Sequence, residues 1–250
     1  MRIIFFIVCF FVVFVSDAFS NSLLQPHSQS KLPQVSAVEI LQHDWTGFYS
    51  GLVLGPQFGH SSDKTADFGY NADNDKWSYN TSGFNAGAEF GYSYSLHGFV
   101  IGPEVELGHL GVKGNAPQPV SPGLDTVGKS SSDFYTAFRG RIGVNVKHTL
   151  IFATGGIIEV DYTTQVVDVC GIAPCGGSTV RANNNNFVRG YIVGGGVERF
   201  VKNGWSLKLE YLYFKLDEQN FYGTTNLGNT YNWTGQSSGN IIRGGLNYHF

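Results

Sequence analysis

From Asp44 onward the chain repeats one pattern: a run with Gly or an aromatic residue at every second position, then a break. The breaks alternate in size. Long ones fall near 60–80, 113–132, 163–186 and 217–238, and short ones near Ser95–Gly98, Lys147–Thr149 and Lys202–Gly204. This predicts eight strands joined by four long loops and three tight turns. In a strand, alternate side chains point to opposite faces. In the last run Ile242, Gly244, Leu246, Tyr248 and Phe250 share one face and Arg243, Gly245, Asn247 and His249 the other. In the seventh, Trp205, Leu207, Leu209, Tyr211 and Tyr213 oppose Ser206, Lys208 and Glu210. In the second, Phe84, Phe90, Tyr92 and Tyr94 oppose Asn85, Glu89 and Ser93, and in the fourth Phe134, Phe138, Ile142 and Val144 oppose Arg139, Arg141 and Asn145. The first and fifth runs are almost continuously apolar, so their facing stays open.

An even strand count with alternating short and long connections predicts an all-β fold: an eight-stranded antiparallel up-and-down transmembrane β-barrel, aromatic outside and charged within. A soluble eight-stranded barrel would reverse the faces. Glu104, Glu106, Arg139, Arg141, Glu198, Lys208, Glu210 and Arg243 would then form its coat, which is sparse for a water-soluble surface. The same eight suffice to fill a narrow lumen as paired ions. Glu104 and Glu106 are expected to face Arg139 and Arg141, Glu210 to lie near Arg243, and Glu198 near Lys208. Trp45, Phe99, Phe200, Trp205, Tyr248 and Phe250 on the turn side, with Phe84, Phe134 and Tyr213 on the loop side, are expected to form two interfacial girdles.

Composition agrees with lipid on the outside. Charged residues are 14 %, aromatics 15 % and Gly 33 of 250, against about a quarter charged in soluble domains. Mean hydropathy is only −0.07, which fits alternation and not long apolar helices. Lys+Arg 16 against Asp+Glu 19 gives a net charge of −3, which excludes a strongly basic nucleic-acid binder. The four long breaks sum to −3 as well (−2, +1, 0 and −2), which argues against adhesion to heparin through a basic patch.

Ahead of the repeats, Arg2 precedes the apolar run Ile3–Val15. It is shorter than the roughly 20 residues of a membrane helix. With small residues at Ala18 and Ser20 it reads as a signal peptide over 1–20, cleaved after Ser20. Residues 21–43, polar with Pro26 and Pro33, read as a flexible periplasmic segment, and 44–250 as the barrel. Export makes a Cys170–Cys175 disulfide possible. A local loop staple is favoured there over free thiols, and two cysteines without histidines make a poor zinc site.

Asp44-Trp45-Thr46-Gly47-Phe48-Tyr49-Ser50-Gly51 at the barrel start resembles the opening motif of small alphaproteobacterial outer-membrane proteins of the porin-like β-barrel family. That family includes major surface antigens and haemin-binding outer-membrane proteins. Gly190–Glu198, Leu209-Glu210-Tyr211-Leu212-Tyr213 and the terminal Arg243–Phe250 are similar to its pattern in the same order. The resemblance implies a Gram-negative outer-membrane location and contact with outer-membrane lipid. It also implies that the strand carrying Leu246, Tyr248 and Phe250 is read by the barrel-assembly machinery, by strand addition. It makes haemin a candidate ligand at the external loops, with His60, His109, Tyr70 and Tyr79 as candidate axial ligands, and host surface molecules candidate partners. A structural or host-interaction role is favoured, with a narrow porin-like channel as the alternative. The sequence holds no nucleophile–base constellation, phosphate loop or metal cluster, so the expectation is a protein that is not an enzyme.

Overall fold

The computed structural model describes residues 44–65, 76–117, 127–169, 179–228 and 230–250. The expected leader and periplasmic segment, Tyr70, and Cys170 with Cys175 lie outside the described residues. The strands are β1 (Gly47–Thr65), β2 (Lys76–Leu96), β3 (Phe99–Leu110), β4 (Lys113–Pro117), β5 (Val127–Val146), β6 (Thr149–Val169), β7 (Thr179–Lys202), β8 (Trp205–Leu216), β9 (Gln219–Thr225) and β10 (Thr230–His249). All pairings are antiparallel, and β1 pairs with both β2 and β10, so the sheet closes on itself. There are eight staves: β3 and β4 make one, interrupted at Gly111-Val112, and β8 and β9 another, interrupted at Asp217-Glu218. Among the described residues no helix is long and apolar enough to cross a membrane; the strands make the crossing.

The short turns are His97-Gly98, Lys147-His148 and Asn203-Gly204. His97 (φ 49°), Gly98 (87°), Asn203 (52°) and Gly204 (80°) occupy left-handed backbone, the geometry that twists a two-residue hairpin to match its strands.

An unbroken belt of outward apolar side chains surrounds the barrel. It includes Leu52 and Leu54 on β1, Phe90 on β2, Phe138 and Ile142 on β5, Ile157 on β6, and Leu207 and Leu209 on β8, with Leu52 67 % and Ile157 65 % exposed. A water-soluble surface does not carry an apolar patch of that extent. The two runs whose facing was open are now assigned. On β1, Phe48, Leu52, Leu54 and Phe58 face out while Tyr49, Val53 and Gln57 face in. On β6, Ile151 and Ile157 face out while Leu150, Phe152, Ile158 and Val160 face in. Two expected girdle residues point the other way: Trp45 is buried inside, against the rings of Phe200 and His249 at 4.3 and 5.4 Å, and Phe200 packs inward beside it.

The long connections are much shorter than expected. The ladder runs on to Thr65 in β1 and Val169 in β6, and starts at Lys76, Val127, Thr179 and Thr230 in the strands that return. Asn183–Asn186, at the end of the expected 163–186 break, are ladder residues of β7 paired with β6. The reason is an inversion of the alternation above the belt. There the outward positions become polar (His60, Ser62, Lys64, Asn80) and the inward ones aromatic (Trp77, Tyr79, Phe221, Trp233). The period of two persists, but Gly, Asn and Ser on the wet face resemble loop composition. From Phe58 to Thr65 this extension carries β1 about 20 Å along the strand beyond the belt.

Candidate functional site

The inward face of every stave converges on the lumen, which is stacked in layers. At the turn side Trp45, Val100, Leu150, Phe152 and Phe200 form an apolar floor. Above it lies the ionic layer: Glu89, Glu104, Glu106, Glu198 and Glu210 with Arg139, Arg141, Lys208 and Arg243, all buried. Lys208 Nζ donates to both oxygens of Glu89 at 2.5 Å. Arg139 donates to Glu104, to Glu106 at 2.6 Å and to Glu210 at 3.2 Å. Arg243 donates to Glu106 at 2.6 Å through Nη2 and to Glu210 at 2.8 Å through Nε. Arg141 donates to Glu198 at 2.8 Å. Its guanidinium also lies over the rings of Tyr49 and Phe152, 5.0 and 4.8 Å from their centroids, where the ring faces attract cations.

Neutral donors complete the shell. Tyr49 Oη donates to Glu104 at 2.7 Å and Tyr135 Oη donates to Glu106. Glu198 accepts from Ser206 at 2.6 Å and Asn247 at 2.9 Å, and lies 3.1 Å from His249 Nε2. Gly91 has a local reason: a β-carbon there would come within 2.4 Å of the Tyr49 ring, so only glycine lets that ring cross β2. Five carboxylates face four cations, and every charge has a partner, which is the condition for keeping ions out of water.

The register brings Glu104 opposite Arg139, and Arg243 opposite Glu210. One expected pairing comes out differently. Glu198 and Lys208 are register partners on β7 and β8, yet Lys208 reaches across the lumen to Glu89 and Glu198 takes Arg141 instead. Glu89, an inward residue by its alternation, joins the network beyond the eight expected charges. Its alternation with Phe90 was a sufficient signal; only the curvature of a closed barrel puts β2 opposite β8. The oxygens of Glu89, Glu104 and Glu106 also lie within 4.8 Å of one another, but lysine and arginine already supply their positive charge.

Above the ions comes a second apolar layer, with Leu110, Tyr135, Ile158, Val160, Ile192, Leu212, Phe214 and Ile241 at its centre. Then follows a small polar tier. Ser61 Oγ sits 3.0 Å from both Tyr162 Oη and Ser237 Oγ, and Tyr79 Oη donates to Asp63 at 3.1 Å while lying 2.6 Å from Ser130. This tier stands above the lipid belt. Burial pushes the Asp63 carboxyl up to about 7, against the pull of the Tyr79 hydroxyl. Trp77, Tyr79, Val166, Val180, Phe221 and Trp233 cap the stack.

The haemin candidates do not converge. Tyr79, expected in a loop, is a strand residue that points inward and is buried, because β2 is already in the ladder by Lys76. His60 and His109 both face outward, but His60 pairs with Asn80 of β2 and His109 with Ala86. Six residues of strand separate those registers by about 20 Å. His109 Nδ1 is engaged with Asp133 at 2.5 Å. Leu246, Tyr248 and Phe250 share the outward face, with the Phe250 ring 74 % exposed and its N–H bonded to the Phe48 carbonyl at 3.0 Å.

Comparison with known proteins adds the relationships. The autotransporter beta-domain family matches residues 34–212. The 31 kDa outer-membrane immunogenic protein of Brucella melitensis is 27 % identical over 233 residues, 89 % of this chain and 90 % of that protein. The 22 kDa outer membrane protein of Rhizobium leguminosarum is 30 % identical over 169 residues, 68 % of this chain and 63 % of that protein. Among solved structures, outer membrane protein OprG from Pseudomonas aeruginosa superposes with a TM-score of 0.50 at 8 % identity, covering 84 % of this chain and 99 % of that one. At that identity the likeness shows the fold alone.

Proposed function

Because the chain belongs to the autotransporter beta-domain family, and like its relatives is an outer-membrane β-barrel surface protein of the Gram-negative envelope, we propose that it works as a closed scaffold. It anchors in the outer membrane and holds a rigid outer rim and its connections toward the host. The observation that carries this reading is the filled lumen: two apolar layers bracket the ionic one, and a third, aromatic group caps the mouth. Eight strands enclose little more than their own side chains. A passing ion would have to part the Arg139 and Arg243 pairs and then enter a tier of Leu212, Phe214 and Ile241, where no group replaces its water. The Brucella relative's name as an immunogenic protein supports exposure of the rim to a host.

The channel alternative makes the opposite expectation, so planar-bilayer recording separates the two. Reconstituted protein is expected to stay silent at moderate voltage, and a steady ohmic conductance would sink the scaffold reading. Haemin binding has less support: the described candidates offer one outward histidine at a time and no pair on one iron.

A further inference from the structure

The outer face of the extension carries a groove whose chemistry the scaffold role does not use. It spans β4, β5 and β6 in two rows of outward residues. Lys113, Ser131 and Thr163 are register neighbours in the lower row, and Asn115, Lys129 and Gln165 in the upper. Together with backbone they line a recess of about 460 Å³, within the range of small-ligand sites, roughly 300–1,000 Å³. Lys113 and Lys129 stand diagonally on adjacent strands, a placement that separates β-carbons by about 7 Å. Two long ammonium arms from that spacing close on one phosphate. Serine, threonine, asparagine and glutamine around them suit sugar hydroxyls and amides.

The charges around the groove fit an anion. Neither row contains an acid, and neither lysine has an ion-pair partner among the described residues. Below the groove, Asp133 is held by His109 at 2.5 Å and Glu159 by Arg189 at 3.1 Å. Asp161 lies one outward step beneath Thr163, so an anion is favoured high in the groove, between the two lysines. The net negative sum over the four long breaks, −3, concealed this local grouping.

Depth within the membrane identifies the source of the anion. The groove begins three residues beyond the outward ring of Phe134, about 10 Å along the strand, which is headgroup level. Directly beneath it, on the shared strands β5 and β6, lies a recess of about 640 Å³ between Val105, Phe138, Ile157 and Tyr191, with Glu159, Arg189 and Asp217 at its upper rim. An acyl chain fits the apolar recess while its headgroup reaches the polar groove, whose lower row at Thr163 stands about 13 Å along β6 from the rim at Glu159 and about 20 Å from Ile157. We propose that the β4–β6 face binds a phosphorylated glycolipid of the outer leaflet, phosphate between Lys113 and Lys129 and sugar against Asn115, Thr163 and Gln165. This site requires the outer-membrane location and is independent of whether the lumen conducts.

The test is native mass spectrometry of the detergent-solubilised barrel titrated with a bis-phosphorylated diglucosamine glycolipid in mixed micelles. Wild type is expected to retain the glycolipid, and Lys113→Gln/Lys129→Gln to lose affinity at least about tenfold, the scale of one lost charge-assisted contact. Lys64→Gln/Lys76→Gln should retain wild-type affinity, and Asp161→Asn should bind a few-fold more tightly. Removing the phosphates from the glycolipid should match the loss in the lysine double variant. Equal retention by that variant, or equal binding of the dephosphorylated lipid, would overturn the site. If soluble glucosamine 1-phosphate or a heparin fragment bound there as tightly as the glycolipid, the lipid assignment would be overturned in favour of a free anion.

Discussion

Replacing Arg139 with alanine should destabilise the barrel by about 3–5 kcal/mol, the usual cost of breaking a buried ion pair from one side. Arg139 is completely buried and serves Glu104, Glu106 and Glu210 at once, with Glu89 3.9 Å away. Its loss leaves five carboxylates facing three cations in a space closed above and below by apolar layers. Urea unfolding in detergent, followed by tryptophan fluorescence and by heat-modified gel mobility, measures the loss. Arg139→Lys should recover part of it, since one ammonium replaces one of the two donor arms. Arg139→Met combined with Glu104→Gln should recover more, because it removes charge of both signs together. A single-variant cost under about 1 kcal/mol would mean that water enters the layer and the lumen is not sealed.

Asp63 should give stability an unusual pH dependence. Its carboxyl lies near 4 in the unfolded chain and is raised by burial to about 7 in the fold. The folded barrel therefore holds the Asp63 proton more tightly than the unfolded chain does. Stability from this group is fully present below pH 4 and is lost as pH rises through about 7. The whole excursion is about 4 kcal/mol at most. Asparagine keeps the acceptor for the Tyr79 hydroxyl and cannot ionise. The expected result is that Asp63→Asn matches wild type near pH 4 and exceeds it by a few kcal/mol at pH 8, read from unfolding midpoints at both values. A variant equal to wild type or weaker at pH 8 would show that the ionised carboxylate has more partners than Tyr79 alone.

Much of this molecule was legible in its sequence for one reason: side chains in a strand alternate, and lipid and lumen impose opposite demands on the two faces. Phe90 beside Glu89, Leu209 beside Glu210 and Ile142 beside Arg141 announce the facing of their strands without any knowledge of the sheet. The even strand count, the positions of the tight turns and the inward set of eight charges follow from the same reading. Where both faces are apolar, as in Leu52-Val53-Leu54 and Ile157-Ile158, the signal vanishes. The stretch above the membrane resembles loop in sequence because its wet face carries loop-like residues while its inward face carries Trp77, Tyr79 and Trp233.

Partnership was decided by tertiary structure. Local pattern says that Glu89, Glu198 and Lys208 point inward; it cannot say which of them meet, since contacts across a lumen depend on closure and stagger of the whole sheet. Thus Lys208 passes its register neighbour for Glu89, 119 residues away in sequence. Trp45 turns inward for a similar reason, as the floor of the lumen offers it Phe200 and His249. The grouping of Lys113 with Lys129 is likewise a product of register between β4 and β5. Alternation is a one-dimensional property that the chain carries everywhere, whereas pairing through a closed interior exists only once the last strand has met the first.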